Sequence, residues 1–104
     1  MRRAQKTKEE EDMKVKVRFF AQFGELLGSE TVVEPASGSI LTNLINEIAS
    51  KNKEGYDAIF DEKGTFREFV ILMRNGKRID ISDAVTTKVS DGDEIAVFPP
   101  VAGG

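Results

Sequence analysis

A single stretch of this chain carries apolar residues at helical spacing, and that restricts the architectures open to it more than any other feature. Ile40, Leu41, Leu44, Ile45 and Ile48 fall on one face at a period of 3.6 residues. Ser39 is the expected N-cap, and the helix should fail by Asn52 to Gly55. One helix with one apolar stripe needs a sheet to cover.

The strands of that sheet are legible on both sides of the helix. Lys14-Val15-Lys16-Val17-Arg18-Phe19-Phe20 alternates polar with apolar, so Val15, Val17 and Phe19 share one side of a half-buried strand. Phe19 and Phe20 must point to opposite sides. Ala21 to Ser29 reads as a compact connector carrying Phe23, Leu26 and Leu27, after which Glu30-Thr31-Val32-Val33-Glu34 returns as a β-branched second strand of a long-looped hairpin. Pro35 to Gly38 is a loop. Ala58-Ile59-Phe60 should form a short turn with apolar anchors, followed by a polar turn at Asp61-Glu62-Lys63-Gly64. Glu68-Phe69-Val70-Ile71-Leu72-Met73-Arg74 is too apolar for a surface strand and is expected to be buried and central. Asn75-Gly76 predicts a type I′ turn, because both central residues of that turn need φ > 0, and Lys77-Arg78-Ile79 would pair back. A helical turn around Asp83 and a last strand from Glu94 to Phe98 complete an α+β fold of about five strands and one main helix on one sheet face.

At 104 residues the chain supports one core. Residues 1–12 hold Arg2, Arg3, Lys6 and Lys8 and then the acidic block Glu9 to Asp12, with almost nothing to bury. They are expected to be a disordered extension, or an overlong start before Met13. The folded domain is then 13–98, and 99–104 a flexible tail. The chain contains no cysteine and no histidine, which excludes a thiol nucleophile, a disulfide framework, an iron–sulfur centre and the usual zinc sites, and removes the commonest general base. No carboxylate or lysine constellation replaces them, so no catalytic residue of its own, no bound metal and no bound cofactor are expected. Fifteen basic and eighteen acidic residues are well mixed at a net charge of −3, which disfavours a nucleic-acid partner. No apolar run approaches the ~20 residues of a membrane span, and the basic start lacks the apolar core of a signal peptide, so no membrane partner and a cytoplasmic location are expected.

The chain ends Pro99-Pro100-Val101-Ala102-Gly103-Gly104. The prolines favour a stiff extended segment, and the glycines, lacking Cβ, would fit a narrow channel. Six extended residues reach roughly 20 Å. From the residues alone this is either a reactive end or a frayed terminus of small residues.

Taken with those elements, three stretches carry a family resemblance: Val17-Arg18-Phe19-Phe20-Ala21-Gln22 with Glu25-Leu26-Leu27-Gly28, Arg74-Asn75-Gly76, and Asp91-Gly92-Asp93-Glu94 running to Phe98 and the terminal six residues. The chain resembles the ubiquitin-like MoaD/ThiS sulfur carriers, above all the small archaeal modifier proteins and the molybdopterin synthase small subunit, from Met13 to Gly104. Ile59 to Phe66 looks more like the archaeal modifiers. The resemblance implies a β-grasp fold with a mixed sheet, and a Gly104 carboxylate that an E1-like enzyme adenylates with ATP and Mg²⁺, Gly103 giving clearance. The product would be a thiocarboxylate that supplies sulfur to a MoaE-like synthase large subunit, or an isopeptide on a target-protein lysine. It further implies that Phe20 and Phe98, with Pro99, Pro100, Val101 and Ala102, contact the partner, although from the residues alone either Phe could be core. The family's apolar contact shortly after the central turn is replaced here by Lys77 and Arg78. The free protein is expected to be monomeric. A purely non-covalent interaction module is the rival from another class, whereas a β-grasp iron–sulfur protein is disfavoured by the absence of cysteine.

Overall fold

The first strand, β1 (Val15–Phe19), buries Val15, Val17 and Phe19 and turns Lys16 and Arg18 outward, as its alternation predicts. The computed structural model describes residues 13–100. The extension expected over 1–12 and the tail residues Val101, Ala102, Gly103 and Gly104 lie outside the described residues. Helix α1 (Gln22–Leu27) follows, then β2 (Glu30–Val33), α2 (Leu41–Ala49), α3 (Lys53–Ile59), β3 (Ile71–Arg74), β4 (Lys77–Ile79), α4 (Ile81–Ala84) and β5 (Glu94–Phe98). The strands form one sheet in the order β2-β1-β5-β3-β4. Only β1 and β5 run parallel, and the other neighbours are antiparallel, giving the mixed α+β sheet that the resemblance implies.

The core is a single cluster under one face of that sheet. Val15, Val17, Leu72, Ile95 and Val97 project from the strands onto Leu41, Leu44, Ile45 and Ile48 of α2, with Phe23, Ile59, Phe60 and Phe66 closing the flank. Each such side chain removed from water contributes about 1.5–3 kcal/mol, and that drives α2 onto the sheet. Among the described residues the helices leave the opposite sheet face uncovered.

Four expectations are revised. Ser39 is not the N-cap of α2: its Oγ donates to Ala36 O at 2.6 Å within the preceding turn, and the helix start is tied down by Leu41 N–H donating to Thr87 O at 2.8 Å. The region expected to be helix failure and a short turn is the third helix, α3. Asn52 caps it by accepting from Gly55 N–H at 3.1 Å while donating to Leu26 O at 2.8 Å, and Gly55 is there because a Cβ would sit 2.6 Å from the Leu27 side chain. The connector after β1 contains a six-residue helix, anchored by buried Phe23. Glu68 to Val70 precede the strand rather than forming it. There Val70 N–H donates to Arg67 O, Phe69 stays 47% exposed, and of β3 only Leu72 is fully buried, so β5 is the central strand. The Asn75-Gly76 turn is as predicted, with φ of 52° and 84° between paired Arg74 and Lys77.

Candidate functional site

Because side chains alternate along each strand, the register specifies what the uncovered sheet face presents. One cross-strand row runs Glu30, Arg18, Ala96, Met73, Arg78 across β2, β1, β5, β3 and β4. The next row holds Ile71 beside Phe98, and Phe20 directly follows the β1–β5 ladder, its N–H donating to Val97 O at 3.1 Å. Phe20 and Phe98 are therefore not core. Both are partly exposed, and their rings stack with centroids 4.2 Å apart and planes 11° from parallel. With half-buried Ile71, Met73 and Ala96 they form an apolar strip; of the other outward strand positions Lys16, Arg18, Glu30, Glu94 and Arg78 carry charge, and Val32, 54% exposed, is apolar.

Arg18 organises one border of the strip. Its guanidinium carbon lies 5.1 Å from the Phe20 ring centroid, Nη1 donates to Glu94 at 3.3 Å, and Nε is 3.9 Å from Glu30. These contacts are exposed and individually weak. Together they hold a cation over the Phe20 ring.

Pro99 and Pro100 come directly after Phe98, so the stack is the last side-chain fixture before the chain leaves the sheet. The structure brings Phe20, Phe98 and Pro99 to one end of the β1–β5 pair. Val101, Ala102, Gly103 and Gly104 lie outside the described residues. The alternation of Ile71, Leu72 and Met73, with Leu72 inward, was the signal that β3 also adds apolar surface outward; a reading of the whole run as buried hid it.

The opposite end of β5 explains why Arg74-Asn75-Gly76 and Asp91-Gly92-Asp93-Glu94 occur together. Asp93 is 5% exposed, and its carboxylate accepts from Arg74 Nε at 3.0 Å, Asn75 Nδ2 at 2.9 Å and Ser90 N–H at 2.8 Å. Asn75 Oδ1 in turn accepts from Glu94 N–H at 2.8 Å. Burial opposes the charge on Asp93, but the hydrogen bonds from Asn75, Ser90 and Arg74 outweigh it and hold the carboxyl below its ordinary range. This part-buried ion pair ties two turns together. Among the described residues no group of three or more acidic, histidine or cysteine side chains is placed to hold a metal ion. Among them, too, no helix is long and apolar enough to cross a membrane.

The model of the ThiS family matches residues 17–104. Small archaeal modifier protein 3 of Haloferax volcanii is 32% identical over 97 residues, a match covering 88% of this chain and all of that protein. The molybdopterin synthase sulfur carrier subunit of Escherichia coli K12 is 31% identical over 90 residues, covering 86% of this chain and 99% of that one. The solution structure of small archaeal modifier protein 1 from Methanosarcina acetivorans superposes with a TM-score of 0.71 at 29% identity, covering 88% of this chain and 97% of that chain.

Proposed function

The chain belongs to the ThiS family, and from that premise we propose that it is a ubiquitin-like sulfur carrier and modifier, a protein co-substrate rather than an enzyme, whose reacting group is the Gly104 carboxylate. The observation that carries the reading is the stacked, solvent-facing Phe20–Phe98 pair at the point where the chain leaves β5 toward Gly103 and Gly104. A docking platform beside the root of the tail lets one partner hold the domain and receive the terminus together, raising the effective concentration of the carboxylate.

The chemistry follows from a poor electrophile. At neutral pH a carboxylate resists attack, so an E1-like enzyme would join it to the AMP moiety of ATP, Mg²⁺ assisting, with pyrophosphate leaving. A persulfide sulfur then displaces AMP from the acyl carbon, and a second thiol cleaves the S–S bond to leave the thiocarboxylate. A lysine amine capturing the activated acyl group instead yields an isopeptide. In either case Gly104 reacts, Gly103 gives clearance, and Pro99, Pro100, Val101 and Ala102 bridge from the docking strip.

We place the protein in the cytoplasm as a monomer when free. Incubated with an E1-like enzyme from the same organism, ATP, Mg²⁺ and a sulfur source, the intact protein should gain about 16 mass units, the exchange of oxygen for sulfur in a group carrier. No gain under conditions that activate a known relative would refute the reading. The 31% identity to a synthase sulfur carrier subunit favours a second, narrower role as sulfur donor to a MoaE-like large subunit. Gly-Gly remnants on lysines of cellular proteins would mark tagging, and loss of pterin cofactor alone on deletion would mark the synthase role. A purely non-covalent module predicts that removing Gly103 and Gly104 leaves function intact.

A further inference from the structure

The row that crosses the apolar strip is bounded by an arginine at each side, and the two differ in electrostatic state. Arg18 on β1 is neutralised by Glu30 and Glu94. Arg78 on β4 is exposed, sits beside Met73 in the register and makes no ion pair among the described residues. With Lys16 as the only other cation at an outward strand position, the face carries three positive and two negative charges. The uncompensated charge nearest the apolar strip is therefore at Arg78, two strands from the Ala96–Phe98 line and so about 10 Å from it. Edge strands often carry cations merely to discourage strand addition. Arg78, however, is the outward member of its strand and borders the strip, whereas Lys77 is in register with Arg74 on the other face.

We propose that Arg78 is a specificity-determining residue of the docking face, selecting a protein partner whose surface offers an apolar anchor for the Phe20–Phe98 stack and an acidic side chain roughly 12–16 Å away to meet the guanidinium. The proposal rests on the carrier reading above. An apolar contact at this position would accept any greasy surface, whereas an arginine penalises a partner that buries it without a carboxylate, so one substitution narrows the set of partners. Arg78 acts before any bond is made, and it shapes association rather than the reactivity of Gly104.

The test uses the full chain and an E1-like adenylating enzyme from the same organism, with direct binding and ATP–pyrophosphate exchange as readouts. Arg78→Glu should raise the Kd and the KM for the carrier by about tenfold with kcat unchanged, and Arg78→Ala by about threefold. Arg78→Lys should retain most of the affinity, and the gap between wild type and Arg78→Glu should shrink as salt rises from about 0.05 to 0.5 M. Circular dichroism of each variant reports whether the exposed substitution has left the fold intact. Wild-type values for a folded Arg78→Glu, alongside normal wild-type exchange, would overturn this inference alone. Absence of binding and exchange for the wild type would overturn it together with the carrier reading.

Discussion

Asp93 shows how much one side chain can carry in a domain of this size. Its carboxylate joins the β3–β4 turn to the loop before β5, so removing the charge strands Arg74 and leaves Asn75 and the Ser90 N–H short of a partner. Asp93→Asn should cost about 2–3 kcal/mol, measurable by urea denaturation. The pH dependence has a definite sign. With the folded-state pKa depressed below the ordinary value of 3.8, the stabilisation is complete above that value and is lost as pH falls through it toward the folded-state value. Wild type should therefore lose more stability than Asp93→Asn below about pH 4, and the two denaturation profiles should run parallel above pH 5. Gly24 offers a test of opposite expectations. Alanine in a helix gains about 1 kcal/mol in propensity over glycine. Here the added Cβ would lie 2.6 Å from the Phe19 carbonyl oxygen, so Gly24→Ala should instead lower the melting temperature, by the equivalent of about 1–3 kcal/mol.

Among the elements, α2 and β1 were legible because each keeps one strict period over its length, and the burial of Ile45, Ile48, Val15 and Val17 follows from that period alone. Ile45 is fully buried against the sheet, and Ile45→Ala should cost about 3 kcal/mol in chemical denaturation. Helix α3 was not legible, since Lys53-Glu54-Gly55 looks like a break. Its cap is Asn52 and its glycine answers a contact with Leu27, a residue distant in sequence that no local rule can see. The run from Glu68 to Arg74 misled for a related reason: composition reports apolarity, not which half of it faces outward instead of into the core. The apolar strip was half legible. Phe20 and Phe98 could be named from resemblance, but their stacking depends on the parallel β1–β5 register, which brings the first and last strands together. A double-mutant cycle on Phe20→Ala and Phe98→Ala should return a coupling of about 1 kcal/mol in stability. A coupling near zero would mean that the rings merely coexist.

At the scale of the molecule, folding and the proposed chemistry are separable. Among the described residues the core runs from Met13 to Val97, so the melting curve of a chain shortened by Gly103 and Gly104 should overlay that of the full one while mass gain and conjugation vanish. The reverse does not hold for β5, which is last in the chain yet paired on both sides, with β1 and with β3. A polypeptide arrested during synthesis before residue 94 has two hairpins, β1–β2 and β3–β4, and nothing to lie between them. Such a nascent chain cannot close its sheet on the ribosome, and so a truncated product would be left open to proteolysis instead of circulating as a folded decoy that occupies activating enzymes without a terminus to offer.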